Sequence, residues 1–191
     1  MNDHEDLILA GCGEADRHEP ELFDTHIRAV IRYADPVAWT IAAAIARATE
    51  TNRGLLDAWR HDVAVVVVSD HGPTATMAQV HTNADAGFSS PLRYAAASPG
   101  SLAGVACIAS GFRGPTLNFA MRPCDGIPVG LLVGRAWLHR GMARALVLAS
   151  FAVSKDRGCC ARSLLLVPNA ALPGHATLDA RAMEWITQGA Q

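Results

Sequence analysis

Apolar and polar positions divide this 191-residue chain into buried strands and helices. Residues 62–70, DVAVVVVSD, form a nearly unbroken β-branched run, which is the pattern of a strand covered on both faces. Residues 35–50, DPVAWTIAAAIARATE, predict a helix with Asp35 as its N-cap and Pro36 in the first helical position. A strand buried in this way needs helices above and below its sheet, so the pattern indicates a layered α/β domain.

Further apolar segments predict four more strands, with the sequences DLILAGCG at 6–13, TLNFAM at 116–121, ARALVLASFAV at 143–153 and ARSLLLVP at 161–168. The chain is long enough for one substantial core and too short for two. The sequence therefore predicts a single domain over residues 1–191, an α/β fold with a five-stranded, mostly parallel sheet and helices on both faces.

The segments between the strands predict further helices and one long loop. We expect a short helix over 74–81, a helix of small residues over 100–111, and helical structure in the latter part of 125–142. Residues 82–99 contain Asn, Gly, Ser and Pro at short intervals and indicate a loop. For the tail, residues 168–191, the sequence indicates no more than a loop followed by a terminal helix.

Charge and hydropathy exclude several function classes. The formal net charge is −2 and the sequence pI is about 6.4, without any Lys/Arg cluster, which argues against a nucleic-acid surface. No apolar run reaches the ~18 residues of a membrane-spanning helix, and the acidic first residues are unlike a secretory signal. We therefore expect a cytoplasmic protein that contacts neither nucleic acid nor membrane.

The cysteines and histidines do not have the spacing of a metal site. The five cysteines are an odd number without the paired spacing of a zinc ribbon, so we expect reduced thiols. His71 and His81 lie ten residues apart with no third ligand in helical reach. The glycine pattern of a dinucleotide-binding loop is absent as well. The sequence predicts no metal and no cofactor.

Several segments, taken in order, resemble the N-terminal half of a β-ketoacyl synthase of the thiolase-like superfamily. They read DPVAWTIAAAIARA, VAVVVVSDHG, SPLRYAAASPGSLAGVACIASGFRGPTLNF and HRGMARALVLASF, and the resemblance extends from Asp6 to Val167. It implies a thiolase-like half-domain and a role with acyl thioesters in polyketide or fatty-acid-type biosynthesis. It also implies an acyl carrier protein or acyl-CoA as partner, and a homodimer or a heterodimer with a ketosynthase.

By this resemblance, Cys124 falls at or within one residue of the family's nucleophile, with Pro123 as the rival occupant of that position. The family has small residues on both sides of its cysteine, whereas this chain has Pro123 and Asp125. Its second half, which supplies two histidines or a histidine and an asparagine to the condensing reaction, has no counterpart in this sequence. These departures point to a degenerate enzyme or a chain-length-factor-like partner.

The residues around Cys124 suggest how a thiol would act there. A helix beginning near Asp125 would direct its N-terminal dipole at the sulfur, and Arg122 lies two residues away; both favour a thiolate. The amide of Gly126 is a candidate donor to a thioester oxygen, while the charge of Asp125 opposes thiolate formation. Arg122, Asp125 and Gly126 are therefore the candidate substrate-binding residues.

Acyl transfer by a cysteine also requires an acid or base within hydrogen-bond reach. His71 follows the all-valine strand, so it would lie at the same sheet edge as Cys124 if that strand runs parallel to TLNFAM. His175, in the tail, is the second candidate. The catalytic prediction is Cys124 with His71 and His175, and a capping or solvent-facing role is the alternative for each histidine.

Three functions follow. The first is a ketosynthase-like partner or degenerate subunit without full condensing activity. The second is an acyltransferase or thioesterase with Cys124 as its nucleophile. The third is an unrelated α/β binding protein, whose fold would not superpose on half of a thiolase.

Overall fold

The computed structural model describes residues 7–88, 90–154, 158–172 and 176–188. Its strands are β1 (Leu7–Ala15), β2 (Val63–Ser69), β3 (Thr116–Phe119), β4 (Ala145–Ser154) and β5 (Gly158–Pro168). Its α-helices are α1 (Thr25–Val30), α2 (Pro36–Thr49), α3 (Arg53–Ala58), α4 (Thr74–Asp85), α5 (Pro91–Ala96), α6 (Ser101–Ser110), α7 (Pro123–His139) and α8 (Ala180–Thr187). Single 3-10 turns lie at Pro20–Leu22 and Glu50–Asn52.

The strands form one five-stranded sheet in the order β1-β5-β4-β2-β3. β2 pairs in parallel with both β3 and β4, whereas β5 pairs antiparallel with β4 and β1. The α/β class and the number of strands are confirmed. The sheet is evenly mixed, with two parallel and two antiparallel pairings, because β4 and β5 follow one another closely in the chain and pair as neighbours.

β2 is buried along its whole length, as its valine-rich sequence predicts. Val63, Val65 and Val67 pack in the cluster that contains α2 and α6. The alternate residues Val66 and Val68 pack in a second cluster with α7 and α8. The period-two geometry of a strand sends neighbouring side chains to opposite faces, so one valine-rich segment supplies both layers of the core.

The predicted helix cap at Asp35 is present at the start of α2. The Asp35 side chain accepts a hydrogen bond from the N–H of Val37, and its other oxygen accepts one from Thr76 N–H. The helix then packs closely on β1. The distance is so short that a Cβ at Gly13 would stand 2.2 Å from the carbonyl oxygen of Ala44. Glycine allows this close approach of helix and strand backbones.

Two helix predictions need correction. Residues 82–99, predicted to be a loop, instead contain the end of α4 and all of α5. Ser90 caps α5 by accepting a hydrogen bond from Arg93 N–H, and Pro91 follows in the first turn, so this Ser-Pro pair begins a helix rather than a turn. The tail contains α8, in agreement with the predicted terminal helix.

The second correction concerns α7, which is helical from Pro123 and not only in its latter part. The glycines that suggested an irregular start instead face the sheet, where a Cβ at Gly130 would lie 2.9 Å from Val66 Cγ1. Pro128 lies on the exposed side near the beginning of the helix and removes one N–H donor there. Close packing against the sheet outweighs these helix-breaking preferences.

Candidate functional site

The candidate site lies at the edge of the sheet where two parallel strands end. β2 ends at Ser69 and is followed by Asp70 and His71, while β3 ends at Phe119 and the chain then enters α7. Because β2 and β3 are parallel, their carboxyl ends meet at one edge, where open α/β sheets commonly bind ligands. The sequence prediction that His71 and the cysteine segment share an edge is confirmed.

Cys124 is the second residue of α7, and its side chain is exposed. Within the described ranges, its sulfur has no hydrogen-bond partner. A thiol in this position is accessible to an incoming reagent and lies at the positive end of a 17-residue helix.

The first turn of α7 has few free amide donors. Pro123 has none, and the N–H groups of Asp125 and Gly126 both donate to the carbonyl oxygen of Arg122, at 3.0 and 2.9 Å. Gly126 faces the sheet, because a Cβ there would stand 2.4 Å from Val68 Cγ1. Among the described residues, the amide of Cys124 itself is the free donor of this turn. Gly126 therefore serves helix packing in this structure.

Arg122 and Asp125 form an ion pair beside the thiol. The Nη2 and Nε atoms of Arg122 lie 2.8 and 2.9 Å from Oδ2 of Asp125. This hydrogen bond and the charge of Asp125 are the main causes that raise the pKa of Arg122, and Cys124 and Asp70 add to the effect. The positive charge next to Cys124 is thus already partnered by a carboxylate.

His71 is held in place by residues of its own turn. Its Nδ1 lies 2.9 Å from Oδ1 of Asp70, and its backbone N–H donates to Ser69 Oγ. The ring also contacts Phe151 edge-on, with the centroids 6.1 Å apart. The polar contacts of the His71 ring are therefore to Asp70, and it makes no hydrogen bond to Cys124.

The structure brings Arg122, Asp125 and Cys124 together at this edge, with Asp70 close enough to act on the charge of Arg122. His175 lies outside the described residues. Sequence reasoning missed Asp70, although an acidic residue directly before a histidine and after a buried strand was an available signal. Cys124 does not line the cavity beside α1 that is described below, nor a second cavity between α4 and α5.

No membrane crossing is indicated by the helices of the described ranges, since none is both long and apolar enough. No family model matches the chain, and no curated protein matches it in sequence.

Solved structures of ketosynthases resemble the fold. A ketosynthase from module 1 of the bacillaene synthase of Bacillus amyloliquefaciens FZB42 has a TM-score of 0.68 and 12% identity, over 91% of this chain and 44% of that chain. This chain therefore spans less than half the length of that ketosynthase.

Two complexes show the same likeness. The first is the ketosynthase ApeO in complex with its chain length factor ApeC from Xenorhabdus doucetiae. One chain of this complex matches with a TM-score of 0.60 and 16% identity, over 96% of this chain and 92% of the matched chain. A type II polyketide synthase acyl carrier protein in complex with its ketosynthase matches with a TM-score of 0.67 and 12% identity, over 90% and 66% of the two chains. The chain has the fold of a thiolase-like ketosynthase half-domain.

Proposed function

We propose that this protein is a chain-length-factor-like partner subunit of a ketosynthase in polyketide-type biosynthesis, without condensing activity of its own. The observation that carries the proposal is the uncovered apolar face of α7. Leu132 is 70% exposed and Val129 is 41% exposed on this face, although both lie in the middle of the helix. Exposed apolar side chains grouped in this way mark interaction surfaces.

β3 adds a second feature of the same region. It consists of four residues, pairs with β2 and, among the described strands, lies at one edge of the sheet, shortly before α7 in the sequence. An edge strand presents backbone N–H and C=O groups that a partner is able to pair. The exposed apolar residues of α7 and the open edge of β3 are therefore two features that support a contact with another subunit.

The structural neighbours support the type of partner. The matched chain of the ApeO–ApeC complex is covered almost completely, so a chain of similar length occurs in a ketosynthase–chain length factor complex. The surroundings of Cys124 favour a non-catalytic role, because the neighbouring cation is paired with Asp125 and, among the described residues, the sulfur has no hydrogen-bond partner. The third hypothesis, an unrelated α/β fold, loses its basis since the fold matches ketosynthases.

The test is co-expression with each full-length ketosynthase encoded in the same genome. We expect the two proteins to co-purify as a complex, and Leu132→Glu to abolish that complex by placing a charge in the apolar contact. Leu22→Glu is the matched control, because Leu22 is also exposed but lies far along the chain from α7. Cys124→Ala is expected to leave complex formation and product output unchanged. A monomer that binds no ketosynthase would contradict the proposal.

Acyl transfer on Cys124 is the second candidate, supported by the exposed thiol at the N-terminus of α7. In this step the thiolate attacks the carbonyl carbon of an acyl-CoA, the bond from that carbon to the coenzyme sulfur breaks, and coenzyme A leaves as its thiolate, which takes up a proton from water. Intact mass after incubation with acyl-CoA would reveal the adduct. Cys124→Ala should remove the adduct and Cys12→Ala, at another exposed thiol, should not; an adduct that survives Cys124→Ala excludes this function.

A further inference from the structure

An apolar cavity of about 390 Å³ lies between α1 with the residues after it, α5 and α6. These helices pack on the face of the sheet that carries α2, so the cavity is separate from α7 and Cys124. Val105 lines the cavity from the buried side, and the exposed side chains of Val30, Leu92 and Ile108 line it from the solvent side. Its volume falls within the ~300–1,000 Å³ of small-molecule sites.

Two arginines contact one tyrosine of the cavity lining. Tyr33 lines the cavity, and its ring centroid lies 4.8 Å from Cζ of Arg32 and 5.1 Å from Cζ of Arg93. Both distances are within the range of cation–π contact. One ring thus contacts two guanidinium groups, although Arg32 and Arg93 are 61 residues apart in the sequence.

The positive charge of this pair is not compensated within the protein. In the described part of the chain, neither Arg32 nor Arg93 forms an ion pair with a carboxylate. Asp35, the acidic residue next to this segment, is buried and its two oxygens accept hydrogen bonds from the N–H groups of Val37 and Thr76. The lining of the cavity thus offers the guanidinium group of Arg32 to an anion, and Arg93 contacts the same tyrosine ring.

We propose that this cavity binds a small amphipathic carboxylate, such as a medium-chain fatty acid. The alkyl chain lies among Val30, Leu92 and Ile108, and the carboxylate lies at the guanidinium groups that contact Tyr33. Guanidinium and carboxylate groups match in geometry and form charge-assisted hydrogen bonds. An uncharged apolar ligand would leave both cations unpaired, and a cationic amphiphile would be repelled. The proposal is independent of the role of α7 and Cys124.

The test is calorimetric titration of the full chain with decanoate below its micelle concentration. We expect saturable binding of one molecule per chain. Decyltrimethylammonium, which has a similar alkyl length and the opposite charge, is expected to bind at least about tenfold more weakly, a difference of ~1.4 kcal/mol. No saturable binding of decanoate, or equal binding of the two amphiphiles, would overturn the proposal.

Two sets of variants test the binding of the carboxylate and the binding of the alkyl chain separately. The double variant Arg32→Gln/Arg93→Gln is expected to weaken decanoate binding about tenfold, because two charge-assisted contacts are lost. The matched control is Arg135→Gln/Arg140→Gln, which removes the same charge from exposed residues at α7 and should leave Kd unchanged. An equal loss in both double variants would refute a specific site.

Ile108→Asp keeps both arginines and places a charge among the apolar lining residues, so it should abolish binding of the alkyl chain. This variant also keeps the proposal testable if the double arginine variant fails to fold, which circular dichroism would reveal. Unchanged decanoate affinity in Ile108→Asp would overturn the assigned position of the ligand.

Discussion

The two longest helices, α2 and α7, lie on opposite faces of one sheet and differ in how much of them is covered. α2 buries ten of its 14 residues, because α6, the two 3-10 turns and the sheet pack against it. α7 is longer, with 17 residues, yet buries six, and its outer face carries exposed Val129 and Leu132. The chain supplies its own cover for one helix and leaves part of the other open to solvent or to another subunit.

The two helices also approach the sheet in different ways. α2 meets β1 through backbone atoms, because the glycines are in the strand and face the carbonyl oxygens of Ala44 and Ala48. α7 carries its own glycines, and these face side chains of β2 and β4. A backbone contact leaves little freedom to adjust, whereas side chains are able to change rotamer. The following variants test this difference, from the largest expected effect to the smallest.

Gly13→Ala should be the most destabilising variant. Its Cβ would stand 2.2 Å from the carbonyl oxygen of Ala44 and 2.5 Å from the nitrogen of Ala48, so the helix would have to move away from the strand. We expect a loss of at least about 3 kcal/mol in the free energy of unfolding, measured in urea. Gly54→Ala is the control, because nothing lies within 4 Å of its Cβ, and it should be neutral or stabilising. Equal stability of the two variants would contradict the close contact.

Arg162→Gln should release α8, which covers part of the sheet face next to α7. Arg162 is 6% exposed, bonds to Glu14, and donates to the carbonyl oxygens of Trp185, at 2.7 Å, and Gln188. Loss of these charged hydrogen bonds should cost about 2–3 kcal/mol. Hydrogen exchange should accelerate in residues 180–188 and remain unchanged in α2. Unchanged protection of α8 would be evidence against this role of Arg162.

Gly134→Ala should be less damaging than Gly13→Ala. Its Cβ would lie 2.2 Å from Leu146 Cδ2, which is the end of a flexible side chain. The overpacking cost of ~1–3 kcal/mol is offset by about 1 kcal/mol of gained helix propensity, so we expect a net loss of about 1 kcal/mol. In a Leu146→Val background the loss should shrink, and a double-mutant cycle in urea measures that coupling. Strict additivity would disprove the predicted contact.

The rates of cysteine alkylation compare the exposure of α7 with that of α6, the helix that covers α2. Cys124 of α7 is exposed, whereas Cys107 of α6 is mostly enclosed and burial raises its pKa. The pKa of Cys160 is also raised, to about 12; burial is the largest cause, and the contact with Glu14 is the next. At pH 8 this thiol therefore stays protonated. We expect iodoacetamide at pH 8 to modify Cys124 before Cys107 and Cys160, measured by peptide mass mapping. Equal rates in the native protein would contradict this order, and equal rates in urea are the control.

Much of the local structure could be predicted because it depends on residues close together in the sequence. The Asp35–Pro36 start of α2 and the buried β2 strand are confirmed. The start of α7 could not be predicted, since it depends on how Gly126 and Gly130 fit against valines of a distant strand. The mixed sheet was missed for the same reason, because strand direction depends on which strands become neighbours.

For the candidate site as well, the sequence predicts part of the arrangement and leaves the rest to the tertiary structure. Sequence position alone places Cys124 at a strand-to-helix junction and indicates that His71 follows a neighbouring strand. It does not reveal that Asp125 pairs with Arg122, that the Gly126 amide is used within the helix, or that Asp70 contacts the imidazole. These outcomes depend on short-range geometry, in which a rotation of a few degrees decides whether a donor is free.

By itself, the sequence determined the α/β class, the five strands and the segment that carries the cysteine, because burial patterns and helix caps act over a few residues. Only the tertiary structure decided which face of α7 stays uncovered and that Arg32 and Arg93 meet at Tyr33. Surfaces and clusters of this kind join residues that are distant in the chain, so they form only when the layers of the fold pack together.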